Sequence, residues 1–97
     1  AGANRQDLAD YPWPDPAIDE ALLGQWVAEA QRLRRETDAI VIAEHPVLGI
    51  VELGCWMCGY DDFLLRLAGD ADFVRDFFDH VLGIQQAIIE QYYPALA

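Results

Sequence analysis

The chain has 97 residues, a formal charge of −11 and 54% hydrophobic residues. This length fits one small domain or a piece of a larger one, and the hydrophobic content is too high for a disordered chain. Seventeen acidic residues stand against six basic ones, all of them arginine, so the surface would repel nucleic-acid phosphates and anionic lipids. The absence of serine excludes a serine nucleophile within this chain. We therefore expect neither a nucleic-acid partner nor a membrane partner.

The N-terminal part contains an unusually stiff stretch. Residues 1–10 are polar with little periodicity and are predicted to be a tail or linker. Residues 11–16, Tyr-Pro-Trp-Pro-Asp-Pro, hold the two aromatics extended because each proline fixes its own φ and restricts the preceding residue. Asp15 is suited to cap a helix with Pro16 in its first position. We therefore predict a hinge over residues 1–16 that leads into a helix.

The first long helix is predicted over Ala17–Glu36, and a short strand follows it. Apolar residues recur in this helix at three- and four-residue spacing, with acids in its first turn and arginines in its last. Residues 39–43, Ala-Ile-Val-Ile-Ala, are apolar throughout and β-branched in the middle, which is typical of a strand buried on both faces. A helix followed by a buried strand predicts an α/β unit.

Three further helices are predicted in the C-terminal half. Ile50–Cys58 ends at a glycine, the next helix runs from Tyr60 to Ala68, and the longest one covers 71–93 behind the cap Asp70. Two of their glycines, Gly59 and Gly69, follow the first two helices directly. The apolar stripes of the helices, which include Trp26 and the three phenylalanines of 73–78, are predicted to be core.

One strand has no partner within the chain, so its neighbours must come from elsewhere. An eight-stranded α/β barrel needs about 250 residues. The pattern therefore favours a slice of a (β/α)8 TIM barrel that is mostly helical, with one short buried strand at 39–43. The alternative is a small helical bundle in which 39–43 is only a buried connection, and the pattern alone does not separate the two.

Glu44 and His45 directly follow the predicted strand. In α/β folds the loops at the carboxyl ends of strands build the ligand site. A histidine there could transfer a proton or bind a carboxylate. The competing interpretation is a solvated loop histidine beside a glutamate.

Cys55-Trp56-Met57-Cys58 is a CxxC motif on a predicted helix. Such a pair can be a redox dithiol or half of a zinc site. The other zinc ligands would have to be His45 and His80, whose spacing fits no common zinc pattern. The pattern thus favours ordinary buried thiols.

Two carboxylate clusters have a simpler explanation than catalysis. Asp61 and Asp62 are predicted to charge the first turn of a helix. His80, beside Asp76 and Asp79, is predicted to lie on a solvated helix face.

Three stretches together resemble a known family. They are "YPWPDP", "AQRLRRETDAIVI" and "GIVELGCWMCGYDDFLLRLAGDADFVRDFFDHV". In this order and spacing, over residues 8–93, the chain resembles the uroporphyrinogen decarboxylase superfamily, and within it the decarboxylase-like and corrinoid methyltransferase-like branch.

The resemblance implies a (β/α)8 barrel with a cleft at the carboxyl ends of its strands. Members either decarboxylate the acetate side chains of a tetrapyrrole without a cofactor, or transfer methyl groups between a corrinoid and a thiol using zinc. This chain would form one wall of the substrate cleft, with His45 in a cleft-lining loop and Cys55 or Trp56 near a substrate-facing tyrosine of the decarboxylases. That tyrosine is missing here, and the family's catalytic aspartate, arginine-rich segment and His-x-Cys motif are also absent from the chain.

These expectations define the predicted function. The parent would be a decarboxylase or methyltransferase with a tetrapyrrole or methyl-corrinoid substrate, while the 97 residues alone would be inactive and bind no cofactor. Companion chains, or copies of this one, would complete the sheet. Two cysteines without a recognisable secretion signal predict a cytoplasmic location. The alternative function is a non-enzymatic helical interaction module derived from the same family.

Overall fold

The computed structural model describes residues 2–44 and 49–97. All regular elements in this part of the chain are helices. They are α1 (Arg5–Asp10), α2 (Glu20–Glu36), α3 (Ile50–Cys58), α4 (Tyr60–Gly69) and α5 (Ala71–Leu96). None of these helices is long and apolar enough to cross a membrane.

The chain divides into two compact units. The first unit comprises Ala1–Asp15 and Val47–Ile84, and the second comprises Pro16–Pro46 and Gln85–Ala97. The first unit therefore contains α1, α3, α4 and the N-terminal half of α5, whereas the second contains α2 and the C-terminal half of α5.

Aromatic side chains form the core of the first unit. Phe63 of α4 and three residues of α5, Phe73, Phe77 and Val81, are at most 2% exposed. The three α5 residues recur every fourth position, so they lie on one face of the helix. The Phe63 and Phe77 rings meet edge to face at 5.3 Å. Each such side chain contributes roughly 1.5–3 kcal/mol by leaving water. The predicted core is confirmed for Phe73 and Phe77, whereas Phe78 packs against it only partly buried.

The segment predicted to be a tail contains a short helix, α1. The Asn4 side chain accepts a hydrogen bond from the Asp7 backbone N–H at 3.0 Å, and the Asp7 carboxylate accepts one from the Asn4 N–H at 2.7 Å. This reciprocal capping box satisfies two backbone donors at the helix start. Leu8 of α1 is buried in the core, and the Trp13 indole N–H donates to the Leu8 carbonyl oxygen at 2.8 Å. The proline-rich stretch thus anchors its tryptophan in the first unit.

Helices α3 and α4 begin where the sequence predicts, and a single glycine separates them. Gly59 has a φ of +92°, a conformation that residues with a Cβ rarely adopt. Within α3, Gly54 lies against the ring of Phe63, with no space left for a methyl group. Gly54 therefore allows α3 to approach the core closely.

Helix α2 begins three residues later than predicted, at Glu20 instead of Ala17. The Gln91 side chain of α5 binds the backbone just before α2. Its Oε1 accepts from the Ile18 N–H at 2.9 Å, and its Nε2 donates to the Pro16 carbonyl oxygen at 2.9 Å. These bonds satisfy backbone groups of Pro16 and Ile18 outside the helix. The cap is Asp19 rather than Asp15, and the predicted end at Glu36 is confirmed.

The predicted buried strand at 39–43 is wrong. The described part of the chain has no strand, and Ile40 and Ile42 are 88% and 82% exposed. A strand requires a second backbone for its hydrogen bonds, and the described residues offer none at this place. The predicted slice of an α/β barrel is therefore wrong as well. The alternative of a helical bundle is also wrong in placing 39–43 in a buried connection. What the structure shows is a small all-helical chain.

Candidate functional site

The predicted site residues lie in different places. Glu44 is exposed in the second unit, whereas Cys55 and Trp56 are neighbours on α3 in the first. Cys55 packs against the core, and Trp56 is 75% exposed. His45 lies outside the described residues. The roles of all four in a substrate cleft therefore stay predictions.

Both cysteines are free thiols on the last turns of α3. Cys55 and Cys58 are half-buried and pack against the core of the first unit. Burial raises the pKa of the Cys58 thiol, although the nearby Arg66 guanidinium acts in the opposite direction. A raised pKa lowers the thiolate fraction and hence the nucleophilicity of Cys58 at neutral pH. Within residues 2–44 and 49–97, no group of three or more His, Cys, Asp or Glu side chains could hold a metal ion.

His80, predicted to lie on a solvated helix face, is half-buried, because the tryptophan of the proline-rich stretch covers one face of its ring, while Asp79 is exposed. The Trp13 and His80 rings stack with centroids 4.9 Å apart and planes inclined by 9°. Asp76 and Asp79 border the same surface hollow. Arg5 binds Asp76, and its hydrogen bond lowers the pKa of that carboxyl group. The histidine therefore stacks on an aromatic ring and borders a surface hollow together with two acids.

Asp61 and Asp62 lie in the first turn of α4, as predicted. Arg66 binds Asp62 at 2.8 Å, and its guanidinium group lies 4.0 Å from the centre of the Phe73 ring. Asp62 therefore stabilises α4 through an i,i+4 ion pair. The geometry indicates a structural role for this carboxylate.

Most arginines are engaged by carboxylates of the chain itself. The ion pairs join Arg5 to Asp76, Arg32 to Glu29 and Glu36, Arg66 to Asp62 and Asp70, and Arg75 to Asp72. A ligand with several carboxylates would have to compete with these pairs. Arg34 differs, because its Nη2 donates to a neutral acceptor, the Leu96 carbonyl oxygen, at 2.7 Å.

The second unit contains an open cleft of about 370 Å³, which we call the aromatic cleft. Helix α2, residues 41–43 and the last turns of α5 line it. Its wall includes Trp26, Tyr92 and Tyr93, with Glu29 and Arg34 as charged groups. The sequence did not predict this cleft. Trp26 and Tyr92 belong to the apolar stripes of two helices, and such a pattern fits core residues as well as residues that line a cleft. Only the packing of α2 against α5 reveals it.

Comparison with known proteins adds no assignment. No family model, no curated protein and no solved structure matches this chain.

Proposed function

We propose that the chain is a non-catalytic helical part of an enzyme of the uroporphyrinogen decarboxylase superfamily, where it supports one wall of the substrate cleft. The observation that carries this proposal is the apolar surface of α3 and α4. Trp56, Leu65 and Tyr60 are 75%, 73% and 67% exposed. Contiguous patches of exposed apolar side chains are typical of surfaces that pack against other protein. The rest of the enzyme would cover Leu65 and Tyr60 and leave Trp56 at the wall of the substrate cleft.

The charges favour a supporting role over direct binding of substrate carboxylates. The chain carries −11 overall, and four of its six arginines form ion pairs with its own acids. A tetrapyrrole with several carboxylates would be repelled unless other parts of the enzyme supplied the positive charge. A methyl transfer between a corrinoid and a thiol places no such demand on this wall. In either reaction, Trp56 would offer an apolar face to the substrate.

The physical reason for association with other polypeptide differs from the one expected from the sequence. A missing sheet can no longer explain association, because residues 39–43 form no strand. Exposed isoleucines, Ile40 and Ile42, and the surface of α3 and α4 supply another reason. We propose further polypeptide of the same enzyme as the natural partner, with self-association when this chain is alone, and a cytoplasmic location.

The non-enzymatic alternative is favoured by a different observation. The first unit has its own buried core of Phe63, Phe73 and Phe77, so part of this chain packs without further polypeptide. An interaction module would use the same exposed surface to bind another protein. In the first function the chain is surrounded by the rest of an enzyme that turns over substrate. In the second it binds another protein and there is no turnover.

The test is an assay of the whole reading frame that contains these residues. The coding DNA on both sides is sequenced, and the full product is assayed for decarboxylation of uroporphyrinogen and for methyl transfer from a methylated corrinoid to a thiol. Trp56→Ala is expected to lower kcat/KM about tenfold or more, because it removes cleft wall. Leu65→Ala, on the apolar surface of α3 and α4, is the control and should lower the stability of the enzyme with little effect on kcat.

Two outcomes would contradict the proposal. One is a full reading frame product with neither activity, which would favour the interaction module. The other is turnover by the 97-residue chain alone, because none of the family's catalytic motifs is present in it.

A further inference from the structure

The aromatic cleft of the second unit has the size and the walls of a small-molecule site. Ligand pockets in proteins have volumes of about 300–1,000 Å³ and mostly apolar walls with a few polar groups. At about 370 Å³ the cleft lies at the lower end of this range. Water occupies about 30 Å³ per molecule in the liquid, so the cleft holds a ligand of roughly a dozen non-hydrogen atoms.

The aromatic wall favours a flat ring. Trp26 of α2 and Tyr92 of α5 meet edge to face, with centroids 5.2 Å apart and planes inclined by 80°. The Tyr93 ring lies 5.3 Å from that of Tyr92. Two rings nearly at right angles form a corner, in which a flat ligand can stack on one ring while its edge faces the other. Leu33 and Val41 add apolar contacts.

The charged groups of the cleft favour an anion. Glu29 is already paired, because Arg32, which also binds Glu36, donates to both of its carboxylate oxygens, at 2.9 and 2.6 Å. The hydrogen bond from Arg32 also lowers the pKa of Glu29. Arg34 donates one N–H to the neutral Leu96 carbonyl, which fixes the guanidinium group without compensating its charge. A guanidinium group has five N–H donors, so several remain for a carboxylate.

We propose that the aromatic cleft binds a flat aromatic carboxylate of about a dozen non-hydrogen atoms, with the ring against Trp26 and Tyr92 and the carboxylate on Arg34. The net charge of −11 opposes an anion at long range. Salt screens that repulsion beyond about 8–10 Å, whereas a direct bidentate contact with Arg34 persists. The site would function whether or not the chain belongs to the proposed enzyme.

The test uses three probes with one ring system: 2-naphthoate, neutral 2-naphthamide and the cation 2-naphthylmethylammonium. Calorimetry at physiological salt gives the affinities, and the indole N–H resonances in NMR spectra locate the binding. The Trp26 resonance is assigned by its loss in Trp26→Phe. The expected affinity order is anion, then neutral probe, then cation, with a shift of the Trp26 resonance while those of Trp13 and Trp56 stay in place.

Variants separate the Arg34 contact from net charge. Arg34→Gln should weaken binding of 2-naphthoate about tenfold or more, since a charge-assisted bidentate contact is lost. Arg75→Gln changes the net charge equally but lies on an exposed part of the first unit, paired with Asp72, and should change the affinity less than about twofold. Arg34→Lys retains the charge and should restore part of the affinity. Circular dichroism verifies that each variant is folded.

Several results would overturn the proposal. Preference for the cation would mean that the rings and Glu29 form a cation site instead. Equal binding of all three probes, or equal loss in Arg34→Gln and Arg75→Gln, would exclude a specific carboxylate contact. A shift of the Trp56 resonance without one of Trp26 would place the probe on the exposed surface of α3.

Discussion

Replacing Gly54 by alanine is expected to destabilise the first unit, although alanine is the better helix former. A Cβ built at Gly54 meets the outer end of the Phe63 ring, with Cε1 and Cε2 at 2.5 Å. Ordinary contacts of this kind lie at 3.4–4 Å, so the ring or α3 must shift by about 1 Å. Phe63 is fully buried and touches the Phe77 and Phe78 rings, which leaves no free space for that shift.

The expected cost follows from two opposing effects. Overpacking a close-packed core costs about 1–3 kcal/mol, and the confined ring places this site at the upper end. Alanine gains about 1 kcal/mol over glycine in a helix interior. The net loss is therefore about 2 kcal/mol in the free energy of unfolding. Urea denaturation, followed by circular dichroism at 222 nm, measures it.

Gly83→Ala is the matched control. Gly83 is also a helical glycine of the first unit, and a Cβ there meets nothing within 4 Å. It should therefore stabilise the chain by about 1 kcal/mol through helix propensity alone. Adding Phe63→Leu to Gly54→Ala should recover part of the loss, giving a coupling of about 1 kcal/mol or more between the two sites. If Gly54→Ala were as stabilising as Gly83→Ala, the close approach of α3 to Phe63 would be refuted.

Four further predictions concern caps, charges and association. Asn4→Ala should cost about 0.5–2 kcal/mol in urea denaturation, because it removes the N-cap of α1, and no loss would refute the capping box. Arg5 lowers the pKa of Asp76, so this pair stabilises the fold at neutral pH, and its contribution is lost as the pH falls through the lowered pKa. In a series of urea denaturations at decreasing pH, the stability of Asp76→Asn should therefore decline less than that of the unchanged chain. Identical pH profiles of the two proteins would count against the pair. Gln91→Glu retains the acceptor for the Ile18 N–H but loses the donor to the Pro16 carbonyl, which should cost about 1–3 kcal/mol; an unchanged thermal midpoint would contradict this. Sedimentation should show self-association that strengthens with salt, as the −11 charge is screened, and a compact monomer at every salt concentration would argue against it.

Elements whose signals are local could be predicted from the amino-acid sequence. The bounds of α3, the start of α4 and the α5 stripe of Phe73, Phe77 and Val81 follow from periodicity and from glycines beside helix ends, and the structure confirms them. These features depend on residues within one or two turns, so a single sequence contains the necessary information. Helix α1 has a local signal as well, the Asn4 capping box, but six residues are too few to show helical periodicity.

Features that depend on contacts between distant residues could not be predicted from the sequence. The isoleucine-rich stretch 39–43 has the composition of a strand, yet β-structure exists only where a second backbone supplies hydrogen bonds, and the described part of the chain has no strand to pair with it. The backbone just before α2 is bound by Gln91, 73 positions away from Ile18. The Trp13–His80 stack and the aromatic cleft likewise join residues far apart in sequence. Such contacts are set by how the helices pack, and periodicity describes each helix without its neighbours.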